Sequence, residues 1–316
     1  MNWKKYLPII GIALFVYILI RINVLEVINE IRNADLFFLF IALVFVFIAM
    51  IIQTFKWFAI AVFQDIKVPF LEAFKINLIS NFYGLVTPSK IGTVIRAEYL
   101  KKYTGNIGKG LSNFVLDKMM DLSSVIFMAI LFSFVLGDKL DLPIGVFFVV
   151  FLGFVGFTLF FINKKRSRFV LKIFHRRFVP KKMKDKAKVT FDSFYENIPK
   201  KRYFIMFFLL NLINWMVLYS ISYFVGLSLG IELPFIYYLA IYPIATLVTM
   251  IPISINGLGT QEATLISLFA LFGIEAAKVF SMSIISIFLG LLFLVVMIFF
   301  LYVKNLIKPP EGCGDS

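Results

Sequence analysis

Long apolar runs alternate with short polar connections along the whole chain. Several runs approach or exceed the roughly 20 residues that a helix rising about 1.5 Å per residue needs to cross a ~30 Å hydrocarbon core. The alternation of apolar and polar residues that is typical of lipid-facing barrel strands is absent. The pattern therefore predicts an all-α, polytopic bundle of about eight transmembrane helices. The predicted spans are 7–20, 36–63, 69–87, 111–137, 143–162, 203–229, 234–252 and 276–303.

Composition supports a single integral membrane domain over residues 1–316. Of these residues 61% are hydrophobic, 18% are aromatic and only 16% are charged, a balance that ordinary soluble domains do not have. Lys4 and Lys5 precede the first apolar run, but no small-residue cleavage pattern follows it, so we expect this run to be a retained span. The single cysteine, Cys313, cannot form an internal disulfide. The single histidine, His175, excludes a His-dependent triad or a multi-histidine metal site.

Positive charge is concentrated in one connection. The net charge is +14, and residues 163–202 hold 15 of the 32 Lys and Arg residues. Because cytoplasmic connections carry such an excess, we expect a multi-pass protein of the cell membrane with 163–202 in the cytoplasm. Eight crossings would place 21–35, 88–110 and 253–275 on the same side. The basic segment also suits anionic lipid head groups, whereas the sequence indicates no nucleic-acid recognition.

Two stretches of the chain resemble each other. "VPFLEAFKINLISNFYGLVTPSKIGTVIRAE" and "LPFIYYLAIYPIATLVTMIPISINGLGTQEA" both open with Pro-Phe, continue as an apolar helix and reach a glutamate after a Pro- and Gly-containing break. Each is flanked by long spans, which predicts a first repeat at 36–137 and a second at 203–303. The repeats are parallel if all eight spans cross, and inverted if one crossing is miscounted.

Each break is expected to form a short helix or a re-entrant turn, because proline cannot continue a helix and glycine permits a sharp change of direction. Irregular backbone at membrane depth is tolerated only where protein or a watery cavity satisfies it. The breaks of the two repeats are therefore expected to lie near one another at a site. The residues that define the breaks are Pro88, Gly92, Pro252, Gly257 and Gly259.

Charged and polar side chains at the breaks form a candidate substrate-binding site. Arg96 begins a polar helix after the first break, and its planar guanidinium suits phosphate or carboxylate. Asp117 and Asp121 lie four residues apart, hence on one helical face. Ionised groups within a span are costly and normally pair or face a cavity, so a structural ion pair is the alternative to a substrate role. The candidate residues are Arg96, Glu98, Asp117, Lys118, Asp121, Asn256, Gln261 and Glu262.

Three segments resemble motifs of the flippase-like family related to the transmembrane region of lysylphosphatidylglycerol synthase. "PSKIGTVIRAEYL" resembles the family's Pro-x-x-x-Gly break leading to arginine, "LDKMMDL" its acidic-basic-x-x-Asp signature, and "PISINGLGTQEA" its Gly-x-Gly-x-x-Glu break. The resemblance covers nearly the whole chain. It departs at Thr93, since the family commonly carries a Gly-Glu pair after the break, and at Lys118, where arginine is more usual.

The resemblance implies translocation of a membrane lipid with a charged or phosphate-containing head group, without lipid aminoacylation. The alternative is a membrane enzyme or accessory protein that acts on polyprenyl-phosphate-linked substrates in glycosylation, with carboxylates serving as base or metal ligand. Signatures of acyl transfer, P-loop phosphate binding and zinc hydrolysis are absent from the sequence. We therefore predict no catalytic residue, no cofactor and no metal, and we expect a membrane lipid as the partner. The identity of the lipid and the oligomeric state stay open.

Overall fold

The computed structural model describes residues 7–22, 24–85, 87, 90–137, 196–250, 254 and 257–303, with isolated positions between 145 and 156. All regular structure within these residues is helical, which confirms the predicted all-helical class. The α-helices with described bounds are α1 (Leu7–Arg21), α2 (Val24–Arg32), α3 (Leu36–Phe63), α4 (Phe70–Leu85), α5 (Ile95–Thr104), α6 (Ile107–Ser133), α7 (Phe204–Ser228), α8 (Phe235–Met250), α9 (Thr260–Ala270) and α10 (Ala276–Val303). Short 3-10 turns cover Ile91–Val94, Phe134–Leu136 and Lys201–Tyr203.

Four helices in the described part of the chain are long and apolar enough to cross a membrane. They are α3, α6 with its 3-10 extension, α7 and α10. Helices α4 and α8 have 16 residues each, so each reaches about 24 Å and falls short of a ~30 Å hydrocarbon core. The helices at the predicted spans 69–87 and 234–252 are therefore shorter than a full crossing needs. The predicted span 143–162 lies almost wholly outside the described residues.

Helices α3 and α7 form the most extensive pair contact of the bundle. Ala42, Val46 and Ala49 of α3 are buried in the same apolar cluster as Val225 of α7. Small residues on such a face let two helix backbones approach closely, which is how helices gain packing energy in lipid. The main apolar core of the protein lies along this pair and extends to α8, α9 and α10.

Helices α8 and α9 form a hairpin whose two ends lie together. The ring of Tyr237 at the start of α8 lies 4.7 Å from that of Phe272, just beyond α9. The ring of Tyr238 similarly lies 5.2 Å from that of Phe269. Because the first turn of α8 contacts the last turn of α9, the two helices are antiparallel. Helix α9 therefore ends at the same end of the bundle where α8 begins.

Helices α4 and α5 have the same arrangement. Val68 and Ala73, at the start of α4, share a buried cluster with Leu100 near the end of α5, and Tyr103 packs against it. Helix α5 therefore also returns to the end of the bundle where its partner begins. Each break is the connection between the two helices of its hairpin.

The two hairpins belong to opposite ends of the bundle. Gln64, directly after α3, donates a hydrogen bond to the carbonyl oxygen of Asn197 at 2.9 Å, which places the start of α7 at the end that carries α4 and α5. Asp35, directly before α3, donates its backbone N–H to the carbonyl oxygen of Ser228 at 2.8 Å, at the end where α8 begins. The 28 residues of α3 separate these ends by about 42 Å.

The predicted sides are wrong for two connections. The sequence placed 21–35 and 253–275 on the same side as 163–202. Asp35 and Phe272, however, lie at the end of the bundle where α3 and α8 begin, and Asn197 lies at the other end of α3. The error arises because a 16-residue apolar helix reads as a crossing when it is one arm of a hairpin. Residues 163–195 of the basic connection lie outside the described residues.

The first break folds back tightly against the end of α4. The backbone N–H of Gly92 donates to Thr87 Oγ1 at 2.7 Å, and that hydroxyl donates to the carbonyl oxygen of Tyr83 at 3.0 Å. A Cβ on Gly92 would collide with the same carbonyl oxygen, so only glycine permits this approach. Lys90 occupies the left-handed region with φ of 55°, which non-glycine residues seldom adopt.

The second break uses glycine differently. Gly257 and Gly259 have φ of 84° and 83°, a region that glycine enters without steric cost. The remaining predicted break residues, Pro88 and Pro252, lie outside the described residues.

Helix α5 is held against α6 by close backbone contact. A Cβ built on Gly110 of α6 would lie 2.6 Å from the carbonyl oxygen of Ala97 and 3.0 Å from its Cα. Because Ala97 follows Arg96 directly, this contact also sets the distance of Arg96 from α6.

The Gly110→Ala substitution is expected to destabilise the protein by about 1–3 kcal/mol, because the added methyl group forces two backbones apart. Thermal unfolding of the purified protein in detergent measures this change. Gly290→Ala on α10 is the matched control, since a Cβ there has no neighbour within 4 Å among the described residues. Its unfolding midpoint should be unchanged or slightly raised. Equal midpoints for the two variants would contradict the close approach of α5 and α6.

Candidate substrate-binding site

A buried ammonium group joins three membrane-spanning helices. Lys56 Nζ of α3 lies 2.8 Å from Asp117 Oδ1 and 2.6 Å from Asp121 Oδ1, both on α6. It also donates to Asn211 Oδ1 of α7 at 3.0 Å. All four side chains are buried. The three N–H bonds of the ammonium therefore match three acceptors, which is the full donor capacity of a lysine.

Helical spacing explains why both carboxylates reach the same lysine. Asp117 and Asp121 are one helical turn apart and so face the same neighbour. A lone ammonium or carboxylate within hydrocarbon is costly, whereas opposite charges attract strongly when they are shielded from water. The sequence of α6 thus creates an acidic face that requires a cation, and Lys56 supplies it.

Arg96 extends this ionic cluster to α5. Its Nη2 donates to Asp117 Oδ2 at 2.8 Å. The guanidinium carbon lies 4.7 Å from the ring centre of Trp57 and 5.6 Å from that of Phe114, distances at which aromatic faces attract cations. In the part of the chain that the structure describes, Arg96 Nε is buried and has no hydrogen-bond partner. The guanidinium is held in place, and its buried Nε–H is still available as a donor.

Lys118 is the accessible cation of the cluster. Its Nζ lies 3.3 Å from Asp121 Oδ2, and its side chain is 43% exposed. Lys56, Arg96 and Lys118 carry three positive charges against the two negative charges of Asp117 and Asp121. The cluster therefore has a net charge of +1 when every group is ionised.

A small polar pocket opens beside these charges. Its volume is about 20 Å³, which is room for about one water molecule. Every lining residue is polar, although 61% of the chain is hydrophobic. The lining residues are Gln53, Lys56, Asn77, Ser80, Asn81, Thr93, Arg96, Asp117 and Lys118. An anion larger than water requires the lining helices to move apart.

The structure brings four predicted site residues together: Arg96, Asp117, Lys118 and Asp121. Glu98 lies elsewhere, on the exposed side of α5, where its Oε1 accepts from Lys101 Nζ at 3.3 Å. This pair is half exposed at both ends and contributes little to stability.

The described site residues of the second break, Gln261 and Glu262, do not line the pocket. Glu262 is buried, and its Oε2 accepts the backbone N–H of Gly259 at 2.5 Å while its Oε1 accepts from Ser283 Oγ at 2.8 Å. Glutamate at this position of a helix satisfies a backbone donor that the helix itself leaves free. Gln261 is half buried in the first turn of α9, and Asn256 lies outside the described residues.

Sequence reasoning missed Lys56, which is central to the cluster, and its partner Asn211. The available signal was a lysine in the apolar run "MIIQTFKWFAIAVF", since an ionisable residue within a span is a functional candidate by default. The amide side chains of Gln53, Asn77 and Asn81 were also missed. They come together only through the contact of α3 with α4.

Within the described residues, no group of three or more His, Cys, Asp or Glu side chains is arranged to hold a metal ion. The two clustered carboxylates instead contact three cations. Four apolar membrane-spanning helices, two shorter hairpins and this buried ionic cluster define a polytopic α-helical membrane protein with a polar site in its interior.

Comparison with known proteins places the chain within a family. Residues 8–303 match the model of the lysylphosphatidylglycerol synthase TM region. The match covers nearly all of the chain, and the protein belongs to this family. The resemblance inferred from the three sequence motifs is thereby confirmed.

Two relatives are archaeal membrane proteins. The UPF0104 membrane protein PH1989 of Pyrococcus horikoshii is 24% identical over 307 residues, which cover 90% of this chain and 92% of that protein. The UPF0104 membrane protein MJ1078 of Methanocaldococcus jannaschii is 25% identical over 244 residues, which cover 73% of this chain and 98% of that protein. The similarity therefore extends over nearly the full length of both relatives.

The Lys56→Met substitution is expected to destabilise the protein by about 3–5 kcal/mol, because it leaves buried carboxylates without their main cation. The added substitution Asp121→Asn should restore part of this loss, since it removes one of the uncompensated charges. Unfolding in detergent measures both variants. Lys101→Met, at the exposed pair with Glu98, serves as the control and should change stability by less than about 0.5 kcal/mol. Additive effects of Lys56→Met and Asp121→Asn would contradict the direct pair.

The Glu262→Ala substitution is expected to destabilise the protein by about 1–2 kcal/mol, because the backbone N–H of Gly259 loses its acceptor. Glu262→Gln should retain most of the stability, since glutamine also serves in this capping arrangement. Thermal unfolding of the two variants separates a structural role from a need for negative charge. A loss in Glu262→Gln as large as in Glu262→Ala would count against the capping role.

Proposed function

We propose that this protein moves a lipid with an anionic, phosphate-containing head group between the two leaflets of the membrane. The observation that carries the proposal is the excess cation of the cluster formed by Lys56, Arg96, Lys118, Asp117 and Asp121. An unbalanced charge is costly inside a membrane and draws in an anion. A phosphate group supplies that charge and acceptor oxygens for Arg96 and Lys118.

The free donors of the pocket support the same ligand. Arg96 Nε and Ser80 Oγ are buried donors that have no hydrogen-bond partner among the described residues. Both residues line the pocket. Buried polar groups without partners are destabilising, and a phosphate oxygen that enters the pocket relieves this cost. The exposed side chain of Lys118 is the first cation that such a head group meets.

The hairpin arrangement supports movement across the membrane. Helices α4 and α8 have 16 residues each, and the short helices that follow them have 10 and 11. We interpret the pair α4–α5 and the pair α8–α9 as inverted repeats that enter the membrane from opposite faces. Transporters built in this way carry substrate sites at broken helices near the bilayer midplane and expose them alternately to each side.

The positive-inside rule gives the proposed orientation. The basic connection 163–202 leads into α7 at the end of the bundle that carries the hairpin α4–α5, so this end faces the cytoplasm. Anionic lipids of the cytoplasmic leaflet are attracted to such a segment. Lys56 lies seven residues from the end of α3, about 10 Å along the helix axis. A head group from the cytoplasmic leaflet therefore has a short path to the pocket.

The alternative, a membrane enzyme acting on polyprenyl-phosphate-linked substrates, needs a carboxylate free to act as a base or to bind a metal. Both oxygens of Asp117 and both oxygens of Asp121 contact cations. Since every carboxylate oxygen of the cluster already contacts a cation, this arrangement favours binding of an anion by the cations over proton abstraction by a carboxylate. Chemical conversion of a lipid head group by the purified protein would instead support the membrane enzyme.

Reconstitution into liposomes tests the proposal. Vesicles of neutral lipid contain a trace of tail-labelled phosphatidylglycerol, and an impermeant reductant reports the label in the outer leaflet. The protein should accelerate transfer relative to empty vesicles. Lys118→Gln should reduce the rate about 10- to 100-fold, because a hydrogen bond to a charged group contributes about 1.5–3 kcal/mol.

Two variants make the result interpretable. Lys101→Gln removes the same charge from an exposed position outside the pocket and should keep the wild-type rate. Arg96→Ala should abolish transfer if it folds, and Lys118→Gln keeps the test valid if it does not. A rate no faster than that of empty vesicles, or equal losses in Lys118→Gln and Lys101→Gln, would overturn the proposed function or the proposed site, respectively.

A further inference from the structure

Glu262, in the first turn of α9, is a buried carboxylate without a cation. Its exposed fraction is 1%, and its oxygens accept from the backbone N–H of Gly259 and from Ser283 Oγ. Both donors are neutral, and the ion pairs of the described residues do not include Glu262. Burial without a cation opposes the ionised form, whereas the N-terminus of a helix favours it. Because these two effects oppose each other, the carboxylate can exchange a proton.

The groups packed around Glu262 leave its charge uncompensated. Within the described residues, Tyr242 of α8 is the titratable side chain that interacts with it electrostatically. Helix α10 contributes the hydroxyl of Ser283, and the side chains of α1 that pack against α9, such as Phe15, are apolar. Protonation of Glu262 therefore changes the net charge of this part of the interior by one elementary charge.

Glu262 balances the excess cation of the ionic cluster, which has a net charge of +1. Lys75, the other buried charged residue among the described ones, pairs with Glu72 at 2.5 Å. The buried charges and their partners therefore sum to zero when Glu262 is ionised. An anionic head group bound to the cluster adds one negative charge, and a proton on Glu262 restores the balance.

The cluster and Glu262 are linked through the low-dielectric interior of the bundle, where charges interact over long distances. Binding of an anionic head group therefore favours the protonated form of Glu262. Because such linkage is reciprocal, protonation of Glu262 favours binding of the head group by the same factor.

Two tyrosine hydroxyl groups lie between Glu262 and the cluster. Tyr242 interacts electrostatically with Glu262, and its ring lies 5.6 Å from that of Tyr219 on α7. The hydroxyl of Tyr219 lies 3.2 Å from Thr246 Oγ1 and interacts electrostatically with Asp121 of the cluster. These side chains form a polar connection through α7 and α8.

The side-chain amide of Asn214 suits water along this connection. Both of its polar atoms are buried and have no hydrogen-bond partner among the described residues. Asn214 lies one helical turn beyond Asn211, the partner of Lys56, on the same face of α7. Buried polar groups of this kind usually bind water. Because water and hydroxyl groups both donate and accept hydrogen bonds, together they can relay a proton.

We propose that the protein carries one proton with each head group and that Glu262 binds this proton. The inference rests on the proposed function, since it names the ion that accompanies the same lipid. The proton leaves water on one side of the membrane and forms an O–H bond with a carboxylate oxygen of Glu262. Ser283 Oγ, which donates to the ionised carboxylate, then accepts from this O–H group. The O–H bond breaks when the proton passes to water on the other side.

Joint transport makes the transfer electroneutral. A head group with one negative charge and a proton move together and carry no net charge. The lipid therefore follows the proton from the acidic side of the membrane to the alkaline side, and a membrane potential alone does not drive it.

Liposomes with a pH difference across the membrane test the inference. They contain a trace of tail-labelled phosphatidylglycerol, whose head group has one negative charge. The impermeant reductant reports the leaflet distribution over a period in which empty vesicles show no transfer. The label should accumulate in the leaflet on the alkaline side, by up to about 10-fold for each unit of pH difference. A potassium diffusion potential at equal pH should leave the distribution unchanged.

Two substitutions separate proton binding from proton relay. Glu262→Gln should still exchange the label between leaflets but should lose the accumulation, because the amide does not take up the proton. Tyr242→Phe should slow transfer about 2- to 10-fold, the loss expected for one hydrogen bond, and leave the final ratio unchanged. The matched controls are Glu98→Gln, at an exposed carboxylate outside the pocket, and Tyr237→Phe, whose ring packs against Phe272. Both should behave like the wild type.

The outcomes distinguish the inference from the proposed function. If the label moves no faster than in empty vesicles at any pH, the proposed function fails. If the label moves but distributes evenly whatever the pH difference, or follows the potential instead, the inference is overturned and the proposed function stands. Accumulation by Glu262→Gln equal to that of the wild type would exclude Glu262 as the proton site. The response of the wild-type protein decides the coupling even if Glu262→Gln does not fold.

Discussion

The pairing of one buried ammonium with two carboxylates is the interaction on which the rest of the structure depends. Lys56, Asp117 and Asp121 lie in helices that are otherwise apolar, and none of these charges is tolerable there alone. Their contact fixes the rotation of α3 relative to α6. The additional hydrogen bond from Lys56 to Asn211 joins α7 to this pair. Three spans are thereby oriented by a single polar interaction, while apolar packing between α3 and α7 forms the most extensive helix contact among the described residues.

The polar side chains inside the bundle also permit irregular backbone there. A turn at membrane depth needs protein groups to satisfy its carbonyl and N–H groups, and the break after α4 lies where such groups are available. Gly92 and Gly110 let the chain approach α4 and α6 at backbone distance. The approach carries Arg96 to Asp117. The ionic cluster and the first break therefore depend on each other, because the break positions the guanidinium of Arg96 and Asp117 of the cluster pairs with it.

Much of this architecture could be predicted from local sequence. The bounds of α3 and α10 match the predicted spans at 36–63 and 276–303, since long apolar runs permit little else. Arg96, Asp117 and Asp121 stood out as ionised residues in apolar surroundings. Lys56 was missed because one lysine hardly changes the hydropathy of a 28-residue run.

The contact of Gln53 with Asn77 and Asn81 could not be predicted in this way, because it joins residues 24 and 28 positions apart and no local pattern indicates it. Helix α8 was predicted as a crossing at 234–252 because most of its 16 residues are apolar.

The small size of the polar pocket has a consequence for ion leakage. Continuous files of water can conduct sodium ions and protons across a membrane, and a space for about one water molecule does not hold such a file. The pocket therefore offers ions no water-filled path along the five charged side chains of the cluster.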